Sequence, residues 1–388
     1  MKKRKYIICF ALIQIGYWVY YATFGGYITA LLVENGISNT GLSIAVLGYQ
    51  ACAFGGSFLL GKICDRIQSN KKPVLILSAA TMLFSIILTR FSGNNQVVAG
   101  IYAAIGLVFG PAISCIDAWI LHAFHGDETL YGELRAMGPF SLAVGMLIQG
   151  FMIERNGYGI MIWGGVISTG IVLIAGILIP DAASTVKRRK RSSQNLNVLL
   201  HNREYSGLLL VLFLIGMAVA PVNNMKVSIL RNLGGQVGWY GADNFFGIMM
   251  QVPVLLLAGK LHHFSWKIRY LVLGILPAGM LLLDLLAVHP AMVILGTCIN
   301  NIAYAVQVLT MREVTETCVA EGQKNLGHTL MDAVYGCMAG MLSAVYAGTV
   351  MDRAGMRAMF VICLAIEAIA CVMVIRYYMQ HSRKMQKK

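Results

Sequence analysis

Charge is scarce in this chain. Asp, Glu, Lys and Arg make up 12% of its 388 residues, where a soluble domain carries about 25%. Acids are scarcer than bases, 17 against 31. No HExxH pair, nucleotide-binding glycine loop or nucleophile motif occurs, so no catalytic constellation presents itself. The chain is therefore not expected to be an enzyme or to hold a cofactor or metal. Nine cysteines (Cys9, Cys52, Cys64, Cys115, Cys298, Cys318, Cys337, Cys363 and Cys371) are scattered without CxxC or other metal-ligand spacing. They read as small apolar residues. Missing too is a small-residue cleavage site after the basic start Lys2-Lys3-Arg4-Lys5, whose apolar sequel runs on to about Val33. That run is too long for a signal peptide and is expected to be a retained first membrane helix.

What fills the chain instead is hydrophobic residue, 57% of the total. Apolar segments long enough to span a bilayer, about 20 residues each, fall at 6–33, 40–62, 73–92, 96–122, 131–153, 158–180, 204–230, 238–260, 268–288, 290–314, 325–350 and 356–379. The expected fold is an all-α integral membrane protein with twelve transmembrane helices. The one long connection carries Lys187-Arg-Arg-Lys-Arg191 and Ser192-Ser193. It divides the chain into six helices (1–183), a basic linker (184–203) and six more helices (204–388). A net charge of +14 would raise nucleic acid as a partner, but the bases lie between the apolar segments, where topology explains them. With the N-terminus inside, 23 basic residues fall on the inner side and five (Arg90, Arg155, Arg231, Arg353 and Arg357) on the outer. This bias sets both termini in the cytoplasm and the expected site in the plasma membrane.

The two halves repeat at an offset of 198 residues. Gly36 maps onto Gly234, Gly61-Lys62 onto Gly259-Lys260, and Gly138 onto Gly336. Gly150-x-x-x-Glu154-Arg155-x-Gly157 maps onto Gly348-x-x-x-Asp352-Arg353-x-Gly355 by the same step. Parallel repeats of six helices resemble the major facilitator superfamily, which implies two six-helix bundles working by alternating access around a mid-membrane solute. Gly61-x-x-x-Asp65-Arg66, followed by Lys71-Lys72, resembles that superfamily's loop between helices 2 and 3. The family pattern has a glycine where this chain has Gln68. Asp65 and Arg66 are expected to lock the bundles on the inner face, or to be ordinary inside charge.

Two charges lie deeper. Asp117 ends one apolar run and Arg135 begins the next, 18 positions on, so they can meet at similar depth across a helical hairpin. Intramembrane charges cost roughly 2.5–3.5 kcal/mol each on insertion scales and usually face a partner or a wet cavity. Either a structural ion pair or a polar recognition site fits. Tyr131-Gly132-x-x-Arg135-x-x-Gly138, with an acid 18 residues before the arginine, resembles the lactose permease group and its sugar, nucleoside and aromatic-acid symporter relatives. That resemblance implies recognition of solute polar groups by Asp117 and Arg135, and proton coupling. The expected function is thus proton-coupled symport of a small polar solute by a monomer in the lipid bilayer. Its alternatives are an exporter or facilitator of an amphipathic compound and a transporter-derived sensor.

Further candidates sit inside the apolar segments. Tyr17, Tyr20, Tyr21 and Phe24 recur at helical spacing in the first and line either a cavity or a packing face, with Tyr20 or Tyr21 expected to complete the Asp117–Arg135 site. Gln251 stands before Pro253 where relatives carry an acid, and Asn300-Asn301 stand in helix 10 where relatives offer ionisable groups. With Tyr304 these are expected to line the second-half wall, where neutral amides can bind a polyol but carry no proton. Lys226 and Asp243 are expected to approach each other in an outer gate. Asp117, Glu316 and Asp332 remain as acids for the proton. Asp284 and Glu367 lie in segments that are peripheral in this fold and read as packing or snorkelling residues.

Overall fold

The structure, a computed structural model, describes residues 2–67, 69–124, 127–181, 196–257, 266–320 and 323–385. Of residues 2–3, 57–67, 128, 196–198, 266–267, 325 and 377–385 it describes the backbone alone. All regular structure among the described residues is helical. The first half holds α1 (Lys2–Thr23), a short 3-10 turn (Gly25–Tyr27), α2 (Ile28–Glu34), α3 (Asn39–Ile67), α4 (Lys71–Phe91), α5 (Asn95–Ala123), α6 (Glu128–Asn156) and α7 (Gly159–Ile177). The second holds α8 (Leu196–His201), α9 (Arg203–Asn224), α10 (Lys226–Asn232), α11 (Val237–Leu256), α12 (Trp266–Leu285), α13 (Pro290–Cys318), α14 (Lys324–Asp332), a π turn (Ala333–Met338), α15 (Ala339–Ala354) and α16 (Met356–Met385). Among the described residues ten helical stretches are long and apolar enough to cross a membrane. Helices α3 and α11 occupy the two remaining apolar segments. Trp163, Ile167, Ile174 and Ile177 stand exposed along α7, and Val361, Ile369 and Val372 along α16. Apolar stripes of that length belong in lipid.

Side-chain caps start several helices. Asn94 accepts from the backbone N–H of Gln96 and Val97, Asp127 from Leu130, and Asn202 from Glu204 and Tyr205. Each satisfies donors that the first turn leaves unpaired. The first predicted segment is not one helix: it breaks at Phe24, and Gly25-Gly26 let the turn press against Tyr21. The seventh breaks at Met225; within α9, Pro221 has no N–H for the Met217 carbonyl, which accepts from the Tyr346 hydroxyl at 2.8 Å.

The repeat extends to the elements themselves. Helix α10 begins and ends 198 residues after α2, α11 begins 198 after α3, and α15 ends 198 after α6. Four glycines with positive φ form two pairs at that offset, Gly36 with Gly234 and Gly157 with Gly355.

By Cα proximity the chain falls into two compact units, Met1–Lys187 with Gln236–Phe245, and Arg188–Gly235 with Phe246–Lys388. The first packs α1 on α6 and α7, α3 on α5, and α4 on α5 and α7. Its core includes Phe10, Ile13, Tyr17, Ile116, Trp119, Leu134 and Val172, with Phe10 edge-on to Trp119 at 5.2 Å. Helices α3 and α5 run almost backbone to backbone, because Gly56 lies against the Leu107 carbonyl and Gly106 against that of Tyr49. The second packs α9 on α15 and α16, and α12 on α13 and α16. Residues 182–195, most of the predicted linker, lie outside the described residues.

Candidate functional site

Helix α5 places Asp117 six residues before its end, and α6 places Arg135 seven residues after its start. At 1.5 Å per residue both lie about 10 Å from the connecting turn, so the hairpin sets them level. Arg135 Nε is 3.3 Å from Asp117 Oδ2, and the two side chains remain 32% and 23% exposed. Gln14 of α1 donates from Nε2 to Asp117 Oδ1 at 3.1 Å. One turn further, Trp18 lies under the guanidinium, its ring centre 5.2 Å from Arg135 Cζ. Gly138 makes room for this indole, since any Cβ there would strike Trp18 Nε1. Tyr131, one turn before Arg135, stands beside both charged groups. Gln14 Oε1 and Trp18 Nε1 are buried with no hydrogen-bond partner among the described residues. The cluster therefore brings together a carboxylate, a guanidinium, an unpaired buried acceptor and an unpaired buried donor.

The tyrosines of α1 lie elsewhere. Tyr17 stacks on Phe109 at 4.7 Å and donates to the Phe109 carbonyl. Tyr20 is fully buried against α4, with its hydroxyl 3.4 Å from the Thr81 carbonyl. Tyr21 packs on Phe109 at 5.1 Å. The α1 side chains that meet Asp117 and Arg135 here are Gln14 and Trp18, whereas Tyr20 packs toward Thr81 and Tyr21 on Phe109, because positions 14 and 18 share the face turned to α5 and α6. The signal for Gln14 was available: an amide within an apolar run is costly unless it has a partner. Trp119 is fully buried in the core.

In the second unit, Gln251 Nε2 donates to Asn301 Oδ1 at 2.5 Å, and Asn301 Nδ2 to the Thr297 carbonyl at 2.8 Å. Lys226, first residue of α10, is 3% exposed and donates to Thr297 Oγ1 at 2.8 Å. Gly247 accommodates Asn301, whose Nδ2 would lie 2.7 Å from a Cβ there. Tyr304 is 36% exposed and stacks on Tyr335 with centroids 6.1 Å apart. Asn300 is buried with Gln307 and Thr310 on one side of α13, about 40° around the helix from Tyr304 and about 100° from Asn301. Consecutive helical residues point about 100° apart. Glu316 is held by Lys324 Nζ and His328 Nε2, each at 2.9 Å. Asp332 is exposed and ends α14 just before the π turn. Asp243 is buried in α11, within the segment counted with the first unit. In that unit Glu154 caps the first turn of α11 by accepting from Gly238 N at 2.7 Å. The side chains of Asp65 and Arg66 lie outside the described residues, as does Gln68.

Solved structures share this fold. A point mutant of the nucleoside transporter NupG aligns with TM-score 0.81 and 11% identity over 96% of this chain and 99% of that one. A POT family transporter in complex with a thioalcohol-conjugated peptide aligns with TM-score 0.74 and 14% identity over 97% and 96%. A bacterial homolog of the human lysosomal transporter Spinster, inward-facing and unoccupied, aligns with TM-score 0.68 and 9% identity over 96% of each chain. Comparison with curated protein sequences gave no match. Residues 10–362 match the profile of the MFS_1 like family. Helices that belong in lipid, a major facilitator transporter fold and this match over most of the sequence lead to one conclusion: the chain is a multi-pass membrane protein of the MFS_1 like family.

Proposed function

We propose that this protein is a proton-coupled symporter of a small polar solute, of the size and polarity of a sugar, nucleoside or aromatic acid. It works by alternating access between two six-helix bundles, twelve membrane crossings in all. Asp117 and Arg135 are its main recognition groups. The observation that carries this reading is the state of the pair. It is partly open, and it is ringed by an unused indole N–H and an unused amide oxygen. A closed structural ion pair would satisfy its neighbours. A guanidinium and a carboxylate side by side can instead grip adjacent hydroxyls of one solute. Gln14 orients Asp117, and Trp18 offers a ring face beside the charge. Gln251, Asn301 and Tyr304 form the polar wall of the second unit. The basic bias puts both termini and the linker in the cytoplasm, with the plasma membrane as the site of action.

A thermal-shift panel of sugars, nucleosides and aromatic acids on the purified chain tests solute binding, since a ligand that binds only the folded state raises its melting temperature. Uptake of each hit into proteoliposomes, with and without an imposed pH gradient, tests symport. Hits that equilibrate without responding to the gradient would leave a facilitator. A panel with no hit and no uptake would overturn the solute class.

A further inference from the structure

Glu367 is a buried acid to which the site above gives no role. Glu367 lies midway along α16, on the stripe of Phe360, Cys363, Glu367, Ala370 and Val374 that this helix buries. Its side chain is fully buried, and neither Oε1 nor Oε2 has a hydrogen-bond partner among the described residues. Helices α9, α12 and α15 pack against α16. The titratable groups within electrostatic reach of Glu367 are Cys363 and Cys371 on its own helix and Tyr335 on the π turn. Tyr346 of α15 lies beyond them, 3.9 Å from Cys363 Sγ.

The charges of the neighbouring helices are placed elsewhere. Arg269 of α12 holds Glu313. Asp284 of α12 lies against Gly296 of α13. Arg203 and Glu204 sit in the first turn of α9, with Glu204 beside Cys318 Sγ. Asp352 and Arg353 occupy the last turn of α15. Among the described residues, then, no cation faces Glu367. A carboxylate buried without a partner is far costlier than the neutral acid. Leucine or glutamine would fill the stripe without that cost, so an acid here has a use beyond packing.

Tyr335 connects the surroundings of Glu367 with more exposed groups. Tyr335 stacks on Tyr304, which is partly exposed, and the exposed Asp332 immediately precedes the π turn that carries Tyr335. Such turns leave a backbone group outside the regular ladder and recur at functional sites. Gly216 of α9 lets this turn seat closely, since a Cβ there would lie 3.1 Å from the Tyr335 carbonyl oxygen. The other candidate acids are differently placed: Asp117 faces Arg135, Glu316 faces Lys324 and His328, and Asp332 is exposed.

We propose that Glu367 is the proton-binding site of the second unit, exchanging its proton with water reached past Tyr335 and Tyr304. Ionisation yields one carboxylate and one hydrated proton, and no other reactant takes part. This inference rests on the symport reading above and names the acid that carries the proton in it.

The test needs no solute. Infrared difference spectra of the purified full chain, recorded between acidic and alkaline buffer, report the C=O stretch of each carboxylic acid that ionises. The expected result is a protonated-carboxyl band that disappears in Glu367→Gln and returns at a displaced frequency in Glu367→Asp. The second variant also serves if the first folds poorly. A wild-type spectrum whose carboxyl bands persist unchanged in folded Glu367→Gln overturns the assignment, as does wild type with no such band. The symport reading fails by a different measurement, wild-type uptake indifferent to a pH gradient, which leaves the infrared band to judge Glu367 by itself.

Discussion

At the scale of single residues, the question is whether Asp117 and Arg135 hold helices together or hold a solute. The two roles answer mutation differently. Removing both charges leaves neither stranded, so a structural pair tolerates Asp117→Asn with Arg135→Gln. A recognition pair loses affinity on either change and does not recover in the double variant. Each loss of a charge-assisted hydrogen bond costs about 1.5–3 kcal/mol, roughly ten- to a hundredfold in Kd. The measurement is titration calorimetry with a hit from the thermal-shift panel, on variants whose melting temperatures stay near wild type. Normal binding by the double variant would move the site to the Gln251–Asn301 wall. Trp18→Phe keeps a ring against Arg135 but removes the indole N–H, which is buried and unused in the solute-free chain. It is expected to weaken solute binding about fivefold while leaving stability unchanged, the worth of one neutral hydrogen bond. Equal Kd for Trp18→Phe and wild type would show that the solute leaves this donor untouched. The pair itself was legible as an acid and an arginine 18 positions apart. Its surroundings were not. Helical spacing groups Tyr17, Tyr20 and Tyr21 but does not say which face of α1 meets α5 and α6, and that face carries Gln14 and Trp18.

At the scale of elements, glycine decides how closely helices pack and where they end. Gly157 and Gly355 follow α6 and α15 with φ, ψ of 76°, 174° and 84°, 168°. That region is nearly closed to residues bearing a Cβ, at about 1–3 kcal/mol. Gly157→Ala and Gly355→Ala are therefore expected to lower thermal stability by similar amounts, since each ends an equivalent helix of the repeat. Melting curves in detergent check this, and a change in one variant alone would break the equivalence. Gly56→Leu and Gly106→Leu are expected to do worse, because each drives a side chain into the backbone of the facing helix. Overpacking of this kind costs about 1–3 kcal/mol or more, read as a lower melting temperature or loss of folded yield. Helix positions were legible from hydrophobic run length. The break after Thr23, the break at Met225 and the π turn at 333–338 were not, because span-length segments placed by run length pass over all three.

At the scale of the whole molecule, the distribution of basic residues makes a topological prediction. Lys and Arg on the trans side oppose insertion, so the 23-to-5 bias is expected to place Lys388 and the linker in the cytoplasm. A reporter fused after Lys388 is expected to be active in its cytoplasm-requiring form, and activity only in the form that requires export would refute the assignment. By itself the sequence determined the class and the repeat. Membrane residence follows from 57% hydrophobic residues spread over span-length segments, because a helix that long and apolar loses least by leaving water for the bilayer core. The 198-residue offset survives in Gly36 with Gly234 and Gly157 with Gly355, because a positive φ tolerates little else. Tertiary structure alone decided which polar side chains meet. Gln14 with Asp117, Gln251 with Asn301 and Lys226 with Thr297 lie 103, 50 and 71 positions apart. Such meetings depend on the rotation of each helix about its axis, which side-chain packing sets and which no spacing within one helix records.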